Sequence, residues 1–175
     1  MYENEQTGVQ ALTFVTVYLA LGTNLGDRRR NLQTAVSLLQ PFVTVTAVSP
    51  VYETKPWGVT DQPDFLNLCL AGKTVLPPEA LLVQCKAIEQ QMGRQKTIRF
   101  GPRLIDVDIL FYGRLLLNTP RLQIPHPRLQ ERDFVLVPLA AIAPLFQHPE
   151  NGLTVAEMRR RLGETAVTYA GYLRP

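Results

Sequence analysis

The order in which strand-like and helix-like segments follow one another is the strongest constraint on the fold of this chain. Apolar residues alternate or run together in four segments and recur at helical spacing in two, in the order strand–helix–strand–strand–helix–strand. The strand segments are Phe14–Leu21, Val43–Ala47, Phe65–Val75 and Leu104–Tyr112, and the helical stripes are Leu32–Leu39 and Leu81–Met92. This order predicts an α+β protein, a ferredoxin-like βαββαβ sandwich with both helices on one face of an antiparallel sheet.

The segments outside this pattern are expected to complete the domain. Residues 49–63 hold three prolines and the only tryptophan, which predicts a loop with internal packing. After Gly113 we predict a short hairpin, a proline-bounded loop at Ile124–Pro127, and two short helices around Phe134–Ile142 and Thr154–Leu162. These C-terminal additions could wall the free face of the sheet into a cleft.

Length and composition predict one domain inside the cell. The chain has 175 residues, of which 46% are apolar, and we predict a loose N-terminal extension at 1–13 and a single domain at 14–175. Its two cysteines, Cys69 and Cys85, lie in apolar runs, which favours buried thiols in a reducing compartment. The acidic start lacks a basic secretory region and no apolar run is long enough for a membrane span. We therefore expect a cytoplasmic protein with no membrane partner, and no sequence feature indicates an oligomeric state.

Positive charge is concentrated in one segment. Between Arg94 and Arg132 there are eight lysine and arginine residues and only three acids, although the net charge of the whole chain is +3. A local basic patch on an otherwise slightly acidic protein favours an anionic ligand such as a nucleotide, and nucleic acid only secondarily.

Two acids lie on one face of the fourth predicted strand. Successive side chains of a strand point to opposite faces, so Asp106 and Asp108 share a face and are about 6.6 Å apart. The opposite face is predicted to be apolar, with Ile105, Val107, Ile109 and Phe111. Two such carboxylates repel each other unless one is protonated or a cation lies between them, and Mg²⁺ shared with phosphate oxygens is the favoured cation. The alternative is an exposed face whose aspartates only pair with arginines.

Four basic residues, Arg94, Lys96, Arg99 and Arg103, lie in the ten-residue stretch that ends three positions before this pair. Arginines can bind phosphates through two parallel hydrogen bonds. The chain has no G-x-x-x-x-G-K-[ST] loop, so a nucleotide must be held by side chains and metal. On the third strand, Phe65 and Asn67 face the same way, and together they could stack on and hydrogen-bond a flat heterocycle. Taken in isolation, Phe65 fits a core residue better than a ligand-stacking one.

The run Arg99–Leu110, RFGPRLIDVDIL, resembles the signature of the 6-hydroxymethyl-7,8-dihydropterin pyrophosphokinase family. Four further blocks are similar to that family in the same order: Tyr18–Asp27, Tyr52–Asn67, Glu89–Arg94 and Ile124–Leu139. The resemblance implies a ferredoxin-like fold and transfer of pyrophosphate from ATP to the hydroxymethyl group of the pterin, which gives the pterin diphosphate and AMP in folate biosynthesis.

The resemblance also implies site residues. Asp106 and Asp108 would hold two Mg²⁺ ions, and with Arg94 and Arg103 they would form the catalytic set. The ATP co-substrate would contact Glu89, Arg94, Lys96, Phe100, Arg103, Ile109, Arg121, His126 and Arg132. The pterin would contact Thr54, Pro56, Trp57, Gly58, Phe65, Asn67 and Phe134, and the segment 95–100 would close over ATP.

Two other functions are compatible with the residues. One is another Mg²⁺-dependent kinase of a planar heterocyclic alcohol, which would release ADP in place of AMP. The other is a non-catalytic RNA-binding domain of the same fold. The second is disfavoured because a carboxylate pair on the open face of the sheet would repel RNA phosphates.

Overall fold

The predicted order of strands and helices is present in the computed structural model, which describes residues 13–56, 58–93 and 101–173. Four helices and eight strands are formed in this part of the chain. In order they are β1 (Val15–Thr23), α1 (Arg28–Leu39), β2 (Thr44–Val48), β3 (Tyr52–Thr54), β4 (Phe65–Thr74), α2 (Pro78–Gln91), β5 (Asp106–Tyr112), β6 (Leu117–Asn118), β7 (Gln123–Ile124), α3 (Asp133–Ile142), α4 (Val155–Arg161) and β8 (Val167–Tyr169).

Six of the strands form one antiparallel sheet. The strand order is β5-β1-β4-β3-β8, and β2 also pairs with β4, beyond the end of β3. The order β5-β1-β4-β2, with α1 and α2 as the connections, is the ferredoxin-like arrangement, so the predicted fold class is confirmed. β6 and β7 form the predicted hairpin.

Helices cover both faces of this sheet. Leu32 of α1 and Cys85 of α2 belong to the same buried cluster as Leu19 and Leu68 of the sheet. On the other face, Leu136 of α3 and Met158 of α4 are buried with sheet residues of β4 and β5. The C-terminal additions therefore pack on the second face of the sheet.

Local capping signals fix the ends of the helices. The Asp27 side chain accepts a hydrogen bond from the backbone N–H of Arg30 at 3.0 Å, which begins α1. Thr154 and Glu157 form a reciprocal capping box at the start of α4. Gly93, with φ at +94°, follows the end of α2. None of the helices in the described ranges is long and apolar enough to cross a bilayer.

A β-bulge in β5 corrects one sequence expectation. Tyr18 is opposite Phe111 but Leu19 is opposite Ile109, so Leu110 is the extra residue. The bulge reverses the alternation beyond Ile109, and Phe111 packs on the second face, with its ring centroid 4.7 Å from that of Phe146. The prediction that Phe111 shares a face with Val107 was wrong for this reason.

Two short strands are absent from the sequence prediction. β3 lies inside the segment predicted to be a loop, and β8 pairs with it at the edge of the sheet. Strands of three residues are too short to show a period of two, so only their backbone pairing reveals them. The predicted extension at 1–13 falls almost wholly outside the described residues and stays a prediction.

Gly72 should tolerate no side chain, because β2 packs directly on β4 at this position. A Cβ atom there would lie 2.4 Å from Cγ1 of Val43 and 2.9 Å from the carbonyl oxygen of Thr44. We expect Gly72→Ala to lower the free energy of unfolding by about 1–3 kcal/mol, the usual cost of overpacking. Urea denaturation measures this change.

Lys73→Ala is the control for Gly72→Ala, since Lys73 is the exposed neighbour on the same strand. It should change the free energy of unfolding by less than about 0.5 kcal/mol. Equal effects of the two substitutions would contradict the close approach of β2 to β4.

Candidate active site

The floor of the cleft is made by two small residues of β1. Gly22 is paired with Asn67 on one side and with Asp106 on the other, and Ala20 is paired in the same way with Cys69 and Asp108. Residues paired across antiparallel strands point to the same face. The longer side chains of β4 and β5 therefore rise on either side of a depression in the middle strand.

Little space separates this floor from the side chains beside it. A Cβ atom on Gly22 would lie 2.9 Å from Oδ1 of Asn67. Asn67 is buried, and its amide nitrogen donates a hydrogen bond of 2.8 Å to the Thr54 hydroxyl. This bond fixes which end of the amide faces Gly22 and the cleft, with the donor group directed to β3.

The first cavity stands on this floor and has a volume of about 320 Å³, within the range of small-molecule sites. One side is aromatic and polar, with Thr54, Phe65 and Asn67, and Phe134 comes from the start of α3. The other side carries the charges. The ionisable residues of the whole lining are Lys55, Lys86, Arg103, Asp106, Asp108, His126 and Arg132, of which Lys55 follows Thr54 on the aromatic side.

A second cavity of about 650 Å³ adjoins the first. It lies between β5 and the β6–β7 hairpin, with Ile109 and Arg121 in its wall. Among the described residues, three line both cavities: Lys86, Asp108 and His126. A ligand that is long enough can therefore extend from one cavity to the other past the Asp108 carboxylate.

The carboxylate pair is surrounded by cations. Arg103 forms an ion pair with Asp106, and the nearest guanidinium nitrogen of Arg132 is 3.9 Å from Oδ2 of Asp108. Burial raises the pKa of Asp108, and the neighbouring Asp106 charge raises it further, although Lys86, Arg132 and Arg103 act in the opposite direction. The ionised pair is thus unfavourable by itself.

These two residues fit a magnesium site. Both are carboxylates on one strand face, which is the oxygen ligand set that Mg²⁺ prefers, and a divalent cation would remove their repulsion. Among the described residues there is no cluster of three or more His, Cys, Asp or Glu side chains that could hold a metal ion. Mg²⁺ bound by one or two carboxylates takes its other ligands from substrate phosphates and water.

His126 enters both cavities as a neutral group. Burial lowers its pKa to about 4, and the charge of Arg132 acts in the same direction. Its Nδ1 atom accepts a hydrogen bond of 3.2 Å from the backbone N–H of Arg128, and its own backbone N–H donates to Leu110. The remaining nitrogen, Nε2, faces Asp108 at 3.9 Å, too far for a direct hydrogen bond.

Asn24 joins the two sides of the cleft at one end. Its side-chain nitrogen donates to Gln62 and to the Pro63 carbonyl at 3.0 and 2.9 Å, in the segment that leads into β4. Its side-chain oxygen accepts from the backbone N–H of Arg103, and its backbone N–H donates to the Arg103 carbonyl. Asn24 is only 2% exposed.

Arg132 and Phe134 are presented together at the start of α3. The guanidinium carbon of Arg132 is 5.5 Å from the centroid of the Phe134 ring, within range of a cation–π contact. Arg132 is largely buried, and this burial lowers its pKa. The contact restrains both side chains at the mouth of the first cavity.

Most of the predicted site residues come together. The first cavity is lined by Thr54, Phe65, Asn67, Arg103, Asp106, Asp108, His126, Arg132 and Phe134, and the second by Ile109 and Arg121. Trp57, Arg94, Lys96 and Phe100 lie outside the described residues. The described linings of the two cavities do not include Pro56, Gly58 or Glu89.

Glu89 lies behind the site. Its carboxylate is buried, accepts the backbone N–H of Val107 at 2.8 Å and is 2.7 Å from the ammonium group of Lys86. Burial raises the pKa of Glu89, and Lys86 opposes this shift. The Val107 N–H lies between the two aspartates in sequence, so Glu89 anchors the part of β5 that carries them.

The sequence analysis did not identify Lys86 or Lys55 as site residues. Lys86 is three residues before Glu89 on α2, and this spacing places the two side chains on one face of the helix. That spacing was the sequence feature from which Lys86 could have been identified. Lys55 is mostly exposed and pairs with Asp64 at 2.8 Å, beside Phe65. The importance of Gly22 and Ala20 depends on strand register and has no signal in the local sequence.

Comparison with known proteins identifies the family. The family model described as 7,8-dihydro-6-hydroxymethylpterin-pyrophosphokinase (HPPK) matches residues 18–144, which include every lining residue of both cavities. This chain belongs to that family. The predicted family and its pyrophosphokinase activity, with ATP as co-substrate in folate biosynthesis, are confirmed.

Two bacterial relatives are similar over most of their length, and both are named 2-amino-4-hydroxy-6-hydroxymethyldihydropteridine pyrophosphokinase. The protein of Aquifex aeolicus is 44% identical over 134 residues, which cover 77% of this chain and 84% of the relative. The protein of Bacillus subtilis is 48% identical over 142 residues, 80% of this chain and 83% of the relative. A folate synthesis bifunctional protein of Arabidopsis thaliana is 47% identical over 135 residues, 76% of this chain and 28% of that protein.

Solved structures agree on the fold. The HPPK-DHPS protein of Plasmodium falciparum, in a wild-type crystal structure with pteroate, superimposes with a TM-score of 0.72 at 19% identity. The match covers 87% of this chain and 43% of the solved chain, so this chain spans less than half of that two-part protein.

Asp108→Asn should stabilise the protein when no divalent metal is present. The native pKa of Asp108 is raised, so the native state loses stability as pH rises above the ordinary carboxyl pKa and the group ionises. An amide avoids this cost at pH 7. We expect the melting temperature in EDTA to rise by about 2–4 °C, the shift that about 1 kcal/mol gives in a chain of this length.

Asp64→Asn is the matched control, because the Asp64 side chain is as exposed as that of Asp108 (31% in both) but has a favourable partner in Lys55. It should leave the melting temperature unchanged or slightly lower. At pH 3, where Asp108 is protonated, the gain from Asp108→Asn should disappear. A lower melting temperature for Asp108→Asn at pH 7 would contradict the repulsion between the two aspartates.

Proposed function

We propose that pyrophosphoryl transfer takes place where the two cavities meet, beside Asp106 and Asp108. The pterin occupies the first cavity, the nucleoside of ATP occupies the second, and the phosphates lie between them. The observation that carries this assignment is that one carboxylate, Asp108, lines both cavities. The names of the bacterial relatives support the pterin as acceptor.

Asp106 and Asp108 are proposed to hold two Mg²⁺ ions. Bound Mg²⁺ neutralises phosphate charge and the charge that develops during transfer. The chain itself fixes the position of the two carboxylates, since both project from one strand that Glu89 anchors through the Val107 N–H. Arg103 holds Asp106 from the side, which restricts its rotamers.

Arginines are proposed to orient the phosphates. Arg103 and Arg132 both line the first cavity and both come from the basic segment between Arg94 and Arg132. Guanidinium groups in a partly buried site form charge-assisted hydrogen bonds with phosphate oxygens. The predicted contacts of Arg94, Lys96 and Phe100 with ATP, and closure of the segment 95–100 over it, belong to the same proposal.

The pterin is proposed to lie between the rings of Phe65 and Phe134. Asn67 and Thr54 are buried at the base of the cavity and are already joined by a hydrogen bond, so they present fixed polar atoms to the edge of a heterocycle. The predicted contributions of Pro56, Trp57 and Gly58 complete this pterin site. Orientation by such fixed groups lowers the barrier by placing the acceptor oxygen against the phosphorus.

The two thiols support the predicted cytoplasmic location. Both are unpaired and buried, and burial raises the pKa of the Cys85 thiol to about 12 and that of Cys69 in the same direction. A fold whose two cysteines are buried, protonated thiols does not depend on an oxidising compartment.

Product analysis tests the proposed function. Phosphorus NMR of a mixture of the protein, ATP, Mg²⁺ and hydroxymethyldihydropterin should show AMP and the pterin diphosphate. Release of ADP would instead indicate a simple kinase. Asp106→Ala should reduce turnover at least 1,000-fold, as expected when a metal ligand is lost from a phosphoryl-transfer site (roughly 4 kcal/mol), with the circular dichroism spectrum unchanged.

Phe134→Ala should weaken pterin binding more than ATP binding. The substitution removes one ring from the first cavity and leaves the lining of the second cavity intact. We expect the Kd for the pterin to rise about tenfold, as loss of an aromatic stacking contact predicts, and the Kd for an ATP analogue to change less than threefold. Titration calorimetry measures both, and equal weakening would contradict the assignment.

A further inference from the structure

We propose that Lys86 is a further substrate-contacting residue, which binds the α-phosphate of ATP and stabilises AMP as it leaves. The inference rests on the proposed function. Its basis is the position of Lys86 at the junction of the two cavities, where it is the lysine among the three shared residues.

The ammonium group is held in place from behind. It is 2.7 Å from Oε1 of Glu89 and 3.5 Å from the carbonyl oxygen of Val107. The Glu89 side chain is 1% exposed, whereas that of Lys86 is 41% exposed. The buried Glu89 carboxylate therefore holds the Lys86 ammonium in position, and the Lys86 side chain remains partly exposed toward the site.

Lys86 has a donor to spare for a ligand. An ammonium group has three N–H donors, and in the described part of the chain two of them are accounted for by Glu89 and Val107. The group also acts on Asp108, whose pKa it lowers. The Lys86 ammonium is thus near Asp108. It is close enough to act on phosphates bound to a metal ion at that carboxylate.

The position along the nucleotide follows from the two cavities. The nucleoside side of the second cavity has Ile109 and Arg121, and the transfer side of the first has Arg103 and Asp106. A ligand that extends from the second cavity to the first passes the shared residues, and Lys86 is one of them. In ATP the group that connects the nucleoside to the β- and γ-phosphates is the α-phosphate.

The chemistry of the transfer gives Lys86 its role. The hydroxymethyl oxygen of the pterin forms a bond to the β-phosphorus, and the bond from that phosphorus to the oxygen bridging it to the α-phosphorus breaks. The electron pair of this bond stays on AMP, and the proton of the hydroxyl group is released to water. Negative charge therefore grows on the α-phosphate, where a nearby ammonium stabilises the transition state more than the ground state.

The test compares Lys86→Gln, Lys86→Arg and the control Lys73→Gln, which removes an exposed lysine of β4. Lys86→Gln should lower kcat/KM for ATP at least tenfold and raise the Kd for AMP about tenfold, the loss expected for one charge-assisted contact. The Kd for the pterin alone should change less than twofold. Lys86→Arg should restore a large part of AMP affinity, and Lys73→Gln should match the unmodified protein.

The double variant Lys86→Gln/Glu89→Gln separates this role from a structural one. If Lys86 only neutralises the buried Glu89, removal of both charges should restore AMP affinity. If Lys86 contacts the α-phosphate, the double variant should remain as weak for AMP as Lys86→Gln. Restored affinity, or unchanged AMP affinity in Lys86→Gln, would overturn the proposal, whereas failure of the unmodified protein to release AMP would overturn the proposed function itself.

Discussion

The fixed spacing of two carboxylates on one rigid strand is the constraint on which the site depends. A strand places every second side chain on the same face, so Asp106 and Asp108 cannot move apart without breaking the pairing of β5 with β1. The buried Glu89 adds a second restraint, since it accepts the N–H group of the residue between them. The protein therefore keeps an unfavourable pair of like charges ready for a cation.

The surrounding positive charges offset part of the cost of ionising this carboxylate pair. Arg103, Arg132 and Lys86 approach the carboxylates from three different parts of the chain: the segment before β5, the residue before α3, and α2. In the proposed function the same three cations also contact the phosphates of the co-substrate. His126 is neutral and adds hydrogen-bonding capacity to the junction without adding charge.

Much of this arrangement could be predicted from the sequence because it depends on short-range periodicity. The alternation along β5 gave the shared face of the aspartates, and the two-residue spacing of Phe65 and Asn67 placed them together in the first cavity. The family signature brought in the residues from distant segments, such as Thr54, Arg132 and Phe134, which no local pattern links.

What could not be predicted depends on pairing between strands and on close approach. The bulge at Leu110 changes the face of Phe111, and it is visible only in the register between β1 and β5. The depression at Ala20 and Gly22 needs the same register. Lys86 and Glu89 could have been read as an ordinary surface ion pair, because only the tertiary packing of α2 on β5 buries one partner and exposes the other.

The hydrogen bonds of Asn24 bear on how the cleft can change shape. The segment around Pro63 leads into the aromatic side of the cleft and Arg103 belongs to the charged side, and both are hydrogen-bonded to the Asn24 side chain. If either segment shifted without the other, some of the hydrogen bonds of Asn24 would break. The two sides of the cleft are therefore mechanically linked through Asn24, and a movement of one side requires a movement of the other.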